Sequence, residues 1–178
     1  TAISHVFNHV NLHVKDILID TAAANDPERF YFTRSIDLAM GPYKLELPES
    51  LYDVGFDSLH IRTAEHKLEI RGLHYAPRVS RQEFYRHWKI AKDMTKLHFD
   101  KINLEGLNLR RFMRSQRIHA RKLRIDSGSV DVSNDLRYPR RPVNKIGKAP
   151  HQQLMKLGHP IHIDTVFVKG VHISYAEI

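Results

Sequence analysis

The sequence predicts a mainly β fold: an antiparallel sheet of bulged strands and hairpins, with two or three short helical insertions. Three observations lead there. Apolar and polar residues alternate in short stretches with a period of two, the signature of half-buried strands. The alternation breaks once per stretch, and always at the same offset. Helix-like patterning is confined to a few short segments. At 178 residues the chain is long enough for a single β-rich domain, 1–178, with its own core.

The first strand lies in the opening "HVFNHVNLHV". His5, His9 and His13 recur every four residues, which on a helix would present three imidazoles to a metal. Their neighbours alternate instead, Val10, Leu12 and Val14 against Asn11, His13 and Lys15, so a strand is expected and no metal site. In "LHVKDILI" the apolar residues Leu12, Val14, Ile17 and Ile19 occupy offsets 0, 2, 5 and 7. The same offsets return in "VGFDSLHI", in "LHFDKINL" (Leu97, Phe99, Ile102, Leu104) and in "IHIDTVFV" (Ile161, Ile163, Val166, Val168). A degenerate copy is "LRIDSGSV". An Asp stands in every break: Asp16, Asp57, Asp100, Asp126 and Asp164.

A strictly regular strand would place half of each motif on the wrong face. Each buried Val, Leu or Ile contributes roughly 1.5–3 kcal/mol, so the loss would be several kcal/mol and the break must be structural. A β-bulge restores the phase. Asp suits such a place because its carboxylate can accept from nearby backbone N–H groups. A second form, "LEIRGLHY", "INLEGLNL" and "VFVKGVHI", has Gly72, Gly106 and Gly170 in the break. Glycine reaches positive φ cheaply, and these are expected to be hairpin turns or bulges. At the C-terminus a bulged strand is expected to fold back at Lys169-Gly170.

Between the strands, "SRQEFYRHWKIA" predicts a helix over residues 80–91, with a Ser80/Glu83 capping box and a stripe of Phe84, Trp88 and Ala91. A shorter helix is expected over 107–116 and a third over 150–157. "RYPRRPVNKIGKAP" and "TAAANDPE" read as loops.

Composition narrows the function classes. No apolar run approaches the ~20 residues of a membrane-spanning helix. Cysteine is absent, which excludes disulfides and thiolate zinc sites. There is no nucleophile elbow, phosphate-binding loop, dinucleotide fingerprint or HExxH helix, so neither an enzyme nor a cofactor is expected. The net charge of +8 points to polyanions. Arg110, Arg111, Arg114, Arg117, Arg121, Lys122 and Arg124 crowd one stretch and are the anion-binding candidates, and a second basic run lies at 137–148. Either an anionic membrane surface or a nucleic acid fits such clusters. Sparse aromatic interleaving and the lack of a recognition motif make a nucleic-acid-binding module the alternative, not the first reading.

The stretches "IHIDTVFVKGVHISYAE", "LRIDSGSVDV" and "LHFDKINLEGLNL" resemble the AsmA-like superfamily of Gram-negative envelope proteins, the group that includes TamB and YhdP relatives. The resemblance extends over most of the chain in style and is best over residues 97–178. It implies an internal segment of a longer, non-enzymatic periplasmic protein, anchored to the inner membrane through a segment outside this chain. It implies a curved β-groove that binds phospholipid or another membrane lipid, passes it between inner and outer membranes and maintains the outer membrane. The lipid-facing candidates are then Leu12, Val14, Ile17, Ile19, Leu97, Phe99, Ile102, Leu104, Ile161, Ile163, Val166 and Val168, as adjoining rows on one face.

Overall fold

The structure, a computed structural model, describes residues 7–21, 23, 26, 29, 32–47, 51–108, 112, 117–140 and 160–178. The strands are β1 (Asn11–Ile17), β2 (Thr33–Met40), β3 (Tyr43–Glu46), β4 (Tyr52–Phe56), β5 (Ser58–Arg62), β6 (Lys67–Pro77), β7 (Met94–Glu105), β8 (Ile118–Asn134) and β9 (Ile161–Glu177). A 3-10 turn, Thr63–Glu65, joins β5 to β6, and helix α1 (Arg81–Trp88) joins β6 to β7. All nine strands form one open sheet in the order β1-β2-β5-β6-β7-β8-β9, with β4 paired to both β3 and β6. The mainly β class is therefore as the alternation predicts.

The breaks fall on two lines across the sheet. On the first, Asp57 faces Gly72, Gly72 faces Asp100, Asp100 faces Ser127 and Ser127 faces Gly170, because the pairings on either side keep one register throughout. The register of β2 with β5 also continues unchanged into β3 with β4, which puts the Gly41-Pro42 bend on the same line. On the second line lie Asp16 facing Arg34, and Gly106, Arg121 and Asp164 side by side. Gly106, just past the end of β7, comes six residues after Asp100, and Gly170 comes six after Asp164 within β9.

Backbone conformation follows the lines. Among the described residues, positive φ occurs at His9, Gly72, Ser127 with the adjoining Gly128, and Gly170 beside the first line, and at Asp16, His66 and Gly106 beside the second. The remaining case, Lys89, caps α1. A left-handed residue inside a strand reverses the alternation of side chains. Paired residues share a face, so a reversal on one strand must be matched on its neighbours. Each break stands opposite another and no strand gains a residue over the next, so the expected β-bulge, which adds a residue to one strand alone, does not occur in these ladders. The Asp and Gly forms thus meet on the same lines, although of the five break aspartates only Asp16 is itself left-handed. Along β7 the chain meets Asp100 and then left-handed Gly106, and along β9 Asp164 and then left-handed Gly170.

Four further expectations are corrected. Gly72 and Gly170 lie inside the continuous strands β6 and β9, and Gly106 immediately follows β7 with Leu107 still donating to His66 O at 3.0 Å, so none is a hairpin turn. The last ladder, β8 with β9, is parallel rather than antiparallel. A parallel neighbour needs a crossover of a dozen residues or more, and the chain between Asn134 and Ile161 supplies it. Among the described residues, three break carboxylates pair with side chains where backbone N–H partners were expected: Asp16 with Arg29 (3.1 Å) and Arg34 (2.9 Å), Asp100 with His98 (2.9 Å), and Asp126 with Arg124 (2.7 Å). Finally, α1 stops at Trp88, short of Ala91, because Lys89 takes the left-handed capping conformation.

Helix α1 begins as its sequence dictates. Ser80 Oγ accepts from Glu83 N at 3.3 Å, and Ser80 N donates to the Glu83 carboxylate at 3.0 Å. Its Phe84 and Tyr85 are buried with Tyr52 and Met94, against Tyr75, Trp88 and Tyr138. Tyr85 Oη donates to Ser133 O at 2.8 Å, tying the helix to the end of β8. This small core sits at one end of the sheet. Most of helix 107–116 and all of helix 150–157 lie outside the described residues.

Candidate functional site

The register assembles adjoining apolar rows, one of which runs the full width of the sheet. Leu12, Leu38, Ile61, Leu68, Leu104, Leu123 and Val166 are successive partners from β1 to β9. The adjoining row is Met40, Leu59, Ile70, Ile102, Ile125 and Val168. Beyond the first break line run Val54, Tyr75, Leu97, Val130 and Ile173. Phe7 stacks on Tyr43 at 5.1 Å and Tyr43 on Phe56 at 5.4 Å, extending the row of Leu73 and Phe99 to β1.

These placements revise the candidate set. Leu104 and Ile102 do share rows with Val166 and Val168. Leu97 and Phe99 do not adjoin Ile161 and Ile163, which pair with Ile118 and Ala120 farther along β8. The copy of the motif in β9 breaks on the second line, whereas that in β7 breaks on the first. Ile36, Leu38 and Met40 of β2 belong to the face and were not among the candidates. Their own alternation in "TRSIDLAM" is the signal that could have found them.

Exposure decides what this face is. None of the twelve candidates is buried: Val14, Leu97, Phe99, Ile102, Leu104 and Ile163 are half-buried and the rest exposed. Ile19, just past the end of β1, is 78 % exposed and Ile173 in β9 73 %. Helix α1 covers only the end of the face at Tyr52 and Tyr75. A closed sandwich would bury its central rows, since a sheet face normally requires a second layer. Among the described residues no second layer lies over the central rows. Among the described residues the apolar rows are thus an exposed surface of one sheet rather than the interior of two.

The opposite face is polar. A cavity of about 400 Å³ opens there, lined by Arg62, Lys67, Glu69, Lys101, Asn103 and Arg124 among others. Its charges neutralise each other: Glu69 pairs with Arg71 at 2.7 Å and Lys101 at 3.1 Å. Burial pushes the Glu69 carboxyl up, but these two cations outweigh it and hold it below its ordinary value.

The basic cluster is only partly on this surface. Arg110, Arg111 and Arg114 lie outside the described residues. Arg117 and Arg121 are exposed, Lys122 Nζ stands 4.8 Å from the centre of the Phe167 ring, and Arg124 is engaged by Asp126, which raises its pKa. Of the second run, Arg137 is held by buried Asp135 at 2.6 Å, and residues 141–148 lie outside the described set.

No family profile, curated protein or solved structure matches the chain. Among the described residues no helix is long and apolar enough to cross a membrane.

Proposed function

We propose that the chain is a non-enzymatic, lipid-handling segment of an AsmA-like envelope protein, in which the apolar sheet face takes up the acyl chains of phospholipid in transit between inner and outer membranes. The observation that carries this reading is the set of adjoining apolar rows, one of them continuous from β1 to β9, that no second layer covers at their centre among the described residues. Acyl chains supply the layer such a face lacks, and they make no demand for specific polar partners. The repeated "IHIDTVFVKG" and "LHFDKINLEG" grammar adds the likeness to that superfamily. In this reading the protein works in the periplasm, held at the inner membrane by a part of the protein outside this chain, and contributes to outer-membrane upkeep.

Photo-crosslinkers at Val14, Ile102 and Val166, in the intact protein in its native envelope, test it. Phospholipid should be captured at all three, and not at Asn103 or Arg124 on the opposite face. Capture of protein alone at Ile102 would mean that another polypeptide covers the face and would overturn the proposal.

A further inference from the structure

Two histidines and an aspartate converge on the polar side of the β8–β9 ladder. The parallel register pairs His119 with His162, between the Ile118–Ile161 and Ala120–Ile163 pairs of the apolar side. The imidazole centroids are 4.9 Å apart and tilted by 32°. Asp164 Oδ1 lies 3.6 Å from His162 Nδ1 and 3.9 Å from His119 Nε2. One ligand atom from each residue lies within 4.8 Å of the other two. In a tetrahedral site with bonds of about 2.1 Å, ligand atoms stand roughly 3.4 Å apart. The aspartate distances therefore need to close by no more than about half an ångström, and the two imidazole nitrogens, up to 4.8 Å apart, by up to about 1.4 Å.

We propose that His119, His162 and Asp164 form a binding site for a divalent transition metal ion of the zinc type. Two imidazole nitrogens and one carboxylate oxygen would bind, with water completing the coordination. This donor set fits zinc, cobalt or nickel, and not magnesium or calcium, which take oxygen ligands. The other histidine–carboxylate pairs on the sheet differ in kind. His60 with Asp37 (2.6 Å) and His98 with Asp100 (2.9 Å) have no third ligand, and among the described residues the β8–β9 cluster alone brings three together. Arg121 on the same strand as His119, and Arg117 just before it, are exposed and add positive charge that opposes a dication and limits its affinity. Bound metal would clasp the edge strand β9 to β8 by two side chains in addition to the ladder. The site lies on the face opposite the apolar rows, so it stands or falls independently of lipid binding.

Calorimetric titration of the tag-free chain with zinc chloride, and in parallel with magnesium chloride, tests the proposal. Saturable zinc binding is expected, with none for magnesium. His119→Ala and His162→Ala should each weaken zinc binding at least about tenfold, and Asp164→Asn by a smaller factor, because the ligands act together. His98→Ala should leave the affinity unchanged. His162 is 71 % exposed, so His162→Ala is the variant least able to disturb the fold. Circular dichroism without metal verifies that each variant is folded. No saturable zinc binding by the wild-type chain, or equal affinity in His98→Ala and folded His162→Ala, would overturn the proposal.

Discussion

The carboxylate of Asp57 occupies the space that a side chain at Gly72 would need. A Cβ built on Gly72 would overlap Asp57 Oδ2, and Gly72 is buried with φ of +62°. Asp57 N meanwhile donates to Arg71 O at 2.9 Å, keeping the strands together at the break. Two residues that differ in every chemical respect are thus halves of one structural element. The second line has a similar close fit, since a Cβ on Gly106 would stand 2.6 Å from Arg121 Cβ.

Gly72→Ala should therefore destabilise by more than the roughly 1–2 kcal/mol of left-handed backbone alone. In an Asp57→Gly background the penalty should shrink toward that backbone value, because the obstructing carboxylate is gone. Urea unfolding of the double-mutant cycle measures the difference. Equal penalties in both backgrounds would rule out the steric account.

Acid stability should depend on Asp135. This carboxyl is 2 % exposed at the end of β8, and its bonds with Arg137, at 2.6 and 2.8 Å, hold its pKa down to about 2 against an ordinary 3.8. A depressed folded-state pKa stabilises the fold above the unfolded value, and that contribution is lost as pH falls from about 4 toward 2. Asp135→Asn should flatten the fall in melting temperature over that window relative to wild type. Thermal melts at closely spaced pH values provide the readout, and parallel curves would contradict the assignment.

The apolar offsets were legible in the sequence because burial on one face is a local constraint, written into each strand separately. The meaning of the breaks was not. "VFVKGVHI" reads equally well as a hairpin or as a continuous strand, and only the register of Gly170 against Ser127 decides. Strand direction is equally hidden, so nothing in β9 itself announces its parallel partner. The start of α1 was readable from Ser80 and Glu83, which contact each other. Its end was not, because left-handed Lys89 carries no glycine signal. Tyr52, Tyr85 and Met94 come from three elements and share no period, so the small core they build escaped notice. His119 and His162 likewise meet only through the parallel ladder.

Polyanion binding should be uneven across the basic cluster. Arg117 and Arg121 are exposed and free to meet phosphate, whereas Arg124 already serves Asp126. Arg117→Ala with Arg121→Ala should reduce affinity for anionic vesicles far more than Arg124→Ala, and binding should weaken steeply with salt. Vesicle co-sedimentation across a salt series tests both. Tight, salt-insensitive binding to one nucleic-acid sequence would instead favour a nucleic-acid-binding role.

The sharpest test of the open face separates stability from lipid capture. Phe84 is completely buried beneath α1, and truncation to alanine should cost about 3–5 kcal/mol, the usual range for a filled core site. Val166 and Ile173 are 54 % and 73 % exposed, so neither contributes a comparable burial. Val166→Ser and Ile173→Ser should each change stability by no more than about 0.5 kcal/mol, as is usual for surface positions. They should nonetheless lower the yield of phospholipid recovered with the protein, because each removes apolar surface from a row proposed to take up acyl chains. Had the face been the interior of a closed domain, the ranking would reverse: serine at these positions would bury an unpaired hydroxyl and destabilise the fold directly. Chemical unfolding and lipid mass spectrometry on the same preparations distinguish the two arrangements, and a large stability loss with unchanged lipid content would rule out the open groove.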